Sequence, residues 1–95
     1  MALRNKLTRT GKSYSVGYSP TLRVDLMQIV TGVKARYYKI SRDEYTWFTK
    51  DPARLDKLAQ LIAKDGAKST RFFCSSDQSE NSPEQMKRFR TLVDE

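Results

Sequence analysis

Eight residues in the first half of the chain have the types and spacing to hold a polyanion: Arg4, Lys6, Arg9 and Lys12, then Lys34, Arg36, Tyr38 and Lys39. Cations recurring every two or three residues can follow a phosphate backbone, each contact releasing a condensed counterion. In the second set, strand alternation would put Lys34, Arg36 and Tyr38 on one face. That face would offer two cations beside a ring able to stack on a base. The plainer reading is a solvated tail and an ordinary outward strand face, with Tyr37 or Tyr38 in the core. Arg23 and Arg42 adjoin the second set and extend it. A third cluster, Lys87, Arg88 and Arg90, is offset by Glu84, Asp94 and Glu95 and reads as a solvated helix face.

The charge is lopsided. Residues 1–42 hold nine Lys/Arg against one acid, Asp25, whereas residues 43–95 hold nine against ten. The net charge of +7 therefore sits in the first half. Such an asymmetry lets one surface grip a polyanion or an acidic protein while the rest stays solvated.

Other chemistry is poorly supplied. Histidine is missing, so the commonest general base and metal ligand are both gone. A single cysteine, Cys74, allows no intrachain disulfide and no Cys/His zinc site. The four glycines stand alone at 11, 17, 32 and 66, which excludes a Gly-rich phosphate loop. Asp43, Glu44 and Asp51 are explained as helix caps. The expectation is a non-enzyme with no cofactor and no metal. No apolar run approaches the ~20 residues of a membrane span. The first residues lack the apolar core of a signal peptide. Leu3 and Leu7 are too little apolar surface to anchor a basic arm on lipid. With one thiol, a cytoplasmic protein with no membrane attachment is expected.

The elements that must position these groups follow from period and punctuation. Residues 1–12 have little to bury and read as a flexible basic arm. Residues 13–18 alternate Tyr14, Val16 and Tyr18 with small or polar residues and read as a strand. Ser19-Pro20 looks like a helix start. Leu22, Leu26, Ile29, Val30 and Val33 recur at helical spacing, and Gly32 would stop that helix. Residues 29–33 also look like the turn of a helix-turn-helix, although Tyr37-Tyr38 makes the next segment β-prone. Residues 33–40 read as a strand.

Ser41-Arg42-Asp43-Glu44 is a capping box opening a short helix, whose Tyr45, Trp47 and Phe48 are expected in the core. Asp51-Pro52 starts another helix with Leu55, Leu58, Leu61 and Ile62 as its stripe. Residues 69–75 read as a strand, and Ser82-Pro83 opens a C-terminal helix carrying Met86, Phe89 and Val93.

The sum is α+β: a flexible arm at 1–12 and one globular domain at 13–95. A two- or three-stranded sheet would be packed on one face by three to four helices. Strands 33–40 and 69–75 could run parallel through a crossover. An exposed edge at 13–18 would allow a homodimer by strand pairing. The functional expectation is a nucleic-acid-binding protein, for DNA or RNA, using the arm and the basic strand face. The alternative is an adaptor or inhibitor of the mobile-element type, docking on an acidic surface of a larger protein.

Overall fold

The computed structural model describes residues 3–94. The chain runs β1 (Arg4–Thr8), β2 (Tyr14–Ser19), β3 (Val24–Thr31), β4 (Lys34–Ile40), α1 (Arg42–Lys50), α2 (Pro52–Asp65), β5 (Phe72–Ser75) and α3 (Pro83–Asp94). Short 3-10 turns at Gly66–Lys68 and Gln78–Glu80 flank β5. The strands form one sheet in the order β1-β2-β3-β4-β5, and every pairing is antiparallel. The class is α+β. However, a five-stranded sheet with three helices replaces the expected two or three strands with three to four helices.

The largest correction is at residues 20–33, where a strand stands in place of the expected helix. Successive β3 residues point to opposite faces. Met27 joins the core under α2, and Leu26 joins the core under α3. Burying both faces puts apolar residues at both parities, so spacings of three and four arise that imitate a helical stripe. Ser19 does cap, but it caps a turn: its Oγ accepts from the Leu22 amide at 3.2 Å. Gly32 (φ +62°) takes the first loop position between the register partners Thr31 and Lys34. A two-residue hairpin loop needs positive φ there. The helix-turn-helix reading is thereby excluded.

Residues 4–8, expected as a flexible arm, form the edge strand β1. Leu7 faces Val16, and Thr8 faces Ser15. The register slips between Arg4 and Leu7, where Asn5 has φ +51° and kinks the strand. Leu3 and Leu7 hold this segment on the core, and its remaining cohesion comes from backbone pairing and long-range side-chain bonds that composition does not display. Because β1 covers β2, strand 13–18 has no free edge for dimerisation, and the edges are β1 and β5. Strand β5 returns antiparallel to β4, so no parallel crossover exists. Met1 and Ala2 of the expected arm, and Glu95, lie outside the described residues.

Helices cover both faces of the sheet, not one. Leu55, Ala59 and Ile62 of α2 pack on Val16, Met27, Ile29 and Tyr38, with Tyr45, Trp47 and Phe48 of α1 at the rim. On the other face Leu92 and Phe89 of α3 pack on Leu26, Tyr37 and Cys74. Burial pushes the Cys74 thiol up to about 12, so it is an inert core group. The helix starts use the caps written in the sequence. Ser41 and Glu44 close a reciprocal capping box. Asp51 accepts from the Arg54 amide ahead of Pro52. Ser82 and Gln85 exchange a second reciprocal pair of bonds. Among the described residues no helix is long and apolar enough to cross a membrane.

Gly17 lies under Leu3, and a Cβ added there would stand 2.5 Å from the Leu3 Cβ. Gly17→Ala is expected to destabilise the fold by about 1–3 kcal/mol through overpacking. Denaturant unfolding of the two proteins measures it, and equal midpoints would show that the β1 end simply moves aside.

Candidate nucleic-acid interface

Strand β4 alternates as the sequence requires, but its Lys34-Arg36-Tyr38 face is turned into the protein. Tyr38 is 1% exposed and packs edge-on against Phe72, with ring centroids 5.9 Å apart. It offers no surface to a base. Arg36 donates from Nε to Glu80 Oε1 at 3.0 Å, and its NH2 donates to Oε2. Lys34 reaches Glu80 at 3.1 Å and Asp77 at 3.3 Å. Ser75 adds a hydroxyl bond to Glu80 at 2.7 Å. Arg36, first among these partners, holds the Glu80 carboxyl down at about 2. The two cations therefore fasten the Gln78–Glu80 turn to the sheet, and their charge is spent inside the protein.

Arg9 is engaged in the same way. It grips Asp56 of α2 through Nε and NH2 at 3.0 and 2.9 Å, and the Tyr14 hydroxyl donates to the same carboxylate. Asp56 is held down at about 2, chiefly by Arg9 and then by Tyr14. Burial, followed by the nearby Asp56, pushes the Tyr14 phenol well above its ordinary value. This contact pins the β1–β2 turn to α2. The sequence pattern did not single out Asp56 or Glu80. Their only signal was negative: neither acid was needed as a helix cap.

Arg4, Lys6, Lys12 and Lys39 remain. All four are exposed and none has an ion pair among the described residues. Arg4 and Lys6 lie on β1, and Lys12 lies in the loop that follows it. Lys39 stands on the opposite face of β4 from Tyr38. Lys12 borders an open groove of about 370 Å³ lined by Thr8, Ser13, Ser15, Val30 and Gly32. Hydroxyls beside a lysine are the donor set that phosphate oxygens accept from.

The wider charge distribution has one cause. The ion pairs of the described residues engage six cations with six acids, leaving twelve of the eighteen Lys/Arg unpaired. Beyond the four just named, these include Arg54, Lys57 and Lys64 on α2. Arg54 lies over the Trp47 ring at 4.2 Å. Among the described residues no three His, Cys, Asp or Glu gather as a metal site. What this surface can do chemically is attract and hydrogen-bond anions.

The depressed carboxyls make stability depend on acid. A carboxyl lower in the folded chain than in the unfolded one stabilises at neutral pH, and that stability is lost as pH falls through the folded value. For Glu80 and Asp56 the loss should begin near their ordinary values, about 4.5 and 3.8, and be complete near 2. Thermal midpoints taken from pH 7 to 2 should fall across that window, and Glu80→Gln should flatten the fall. An unchanged profile in the variant would show that Glu80 carries none of it. Comparison with family models, with curated proteins and with solved structures returns no match for this chain.

Proposed function

We propose that this protein is a non-enzymatic nucleic-acid-binding protein of the cytoplasm, holding the phosphate backbone with Arg4, Lys6, Lys12 and Lys39. The observation that carries the reading is the partition of charge. The ion pairs take six cations with six acids, so the +7 excess stays on the groups they leave over, twelve cations against five acids. Ser13 beside Lys12 supplies a neutral donor suited to phosphate, while the Thr8 and Ser15 hydroxyls bond each other at 3.0 Å. Arg9, Lys34 and Arg36 serve the fold in this reading, and Tyr38 serves the core.

A second reading has its own observation. Leu61 is 64% exposed on α2, in the same stretch as Lys57 and Lys64. A basic helix face with an apolar residue at its centre suits an acidic protein surface, the adaptor or inhibitor alternative.

Anisotropy titration of a labelled duplex at about 50 and 200 mM salt separates the two. Four phosphate contacts give a log–log slope of roughly −3.6, so affinity should drop about 150-fold between those salts. Changing Arg4, Lys6, Lys12 and Lys39 to Ala should remove most of that slope, while Leu61→Ser should leave it intact. No binding of the duplex or of its single strand at the lower salt would sink the first reading.

A further inference from the structure

Away from the Lys12 groove, at the other end of the β1–β2 pair, four elements converge on one arginine. Arg42 of α1 lies over the Tyr45 ring at 4.9 Å and the Tyr18 ring of β2 at 5.5 Å. Its NH2 stands 2.8 Å from Asp25 Oδ1 of β3, close enough to pair although outside hydrogen-bond geometry. Arg4 of β1 is the register partner of Tyr18. The Tyr45 hydroxyl donates to the Asn5 carbonyl at 2.7 Å, which fixes that ring against the kink in β1.

The chemistry of this cluster differs from that of the groove. Asp25 is almost fully buried and takes one edge of the guanidinium, so Arg42 contributes little net charge. What it contributes is a plane. Its side chain is 59% exposed, so much of the guanidinium surface lies open to solvent. Tyr18 and Tyr45 are half-buried and ordered by their contacts. Tyrosine rings and guanidinium planes are the surfaces on which unpaired bases stack. Arg4, exposed and without an ion pair among the described residues, supplies the adjoining phosphate contact. Ser15 of the groove and Tyr18 point to opposite faces of β2, so this cluster is a site separate from the groove.

Resting on the nucleic-acid reading above, we propose that Tyr18, Arg42 and Tyr45 form a stacking platform for unpaired bases, with Arg4 on the neighbouring phosphate, and that the ligand is single-stranded. A duplex keeps its base faces stacked on one another and presents none to such a platform.

The test titrates a labelled single-stranded oligonucleotide and its duplex against the full chain at about 50 mM salt. Tyr18→Leu and Tyr45→Leu should each weaken single-strand binding about tenfold and leave duplex binding within twofold. Tyr18→Phe keeps the ring and should bind as the parent does. Arg42→Lys keeps the charge, loses the plane, and should weaken the single strand several-fold, so the test stands even where a leucine variant fails to fold. Equal single-strand and duplex affinity, with folded Leu and Lys variants unchanged, would overturn the platform and leave the phosphate reading standing. No binding by either oligonucleotide would overturn both.

Discussion

Tyr37 and Tyr38 are neighbours on a strand, they point to opposite faces, and neither is more than 1% exposed. A sheet with that pair inside it must be covered on both sides, and the rest of the architecture follows from meeting this requirement with a short chain. The α1–α2 unit shelters Tyr38, Met27 and Val16, while α3 shelters Tyr37, Leu26 and Cys74. The Tyr37 hydroxyl still receives a donor, Gln28 Nε2 at 3.1 Å, so its burial leaves no polar group stranded. A chain of this size buries a smaller share of its surface than a large one, and its seams stay close to water. Ion pairs sit at those seams. Arg71 with Glu44 joins the start of β5 to α1 through two bonds of 2.7 Å. Arg36 with Glu80, Arg9 with Asp56 and Arg42 with Asp25 join the other elements.

That pattern of closure shapes the electrostatics of the exterior. Part-exposed pairs are individually modest in energy because solvent screens them. Each pair neutralises one cation with one acid, so the pairs leave the net excess unchanged and only decide where it sits. Two cations on the Lys34–Arg36 strand face are consumed in this way. Arg4 and Lys6, from a segment that looked like a loose tail, keep their charge on an ordered edge. The candidate residues are therefore reduced to Arg4, Lys6 and Lys12 of the β1–β2 hairpin and Lys39 of β4.

The capping signals at Ser41, Asp51 and Ser82 were legible because a cap is a local interaction among residues a few positions apart. The strands at 13–18 and 33–40 were legible from alternation. Residues 24–31 were misread because burial on both faces erases alternation, and the same side chains then satisfy a helical period. Strand β1 was invisible for a different reason: Leu3 and Leu7 show no pattern alone, and pairing with β2 is a property of two segments. The eight candidate residues divided on long-range facts. Arg9 meets Asp56 forty-seven positions away, and Arg36 meets Glu80 forty-four positions away. No local window contains both partners.

The kink at Asn5 bears on how copies of this chain behave when crowded. At high local concentration the exposed strand edges of neighbouring molecules meet. A flat β1 would then be a template for runaway cross-strand polymerisation. The positive φ at Asn5 interrupts that template, and Tyr45 holds its carbonyl. Lysine and arginine beside the kink add repulsion between approaching edges, and β5, the opposite edge, is only four residues long. Charge and kink together keep the sheets of neighbouring copies from fusing.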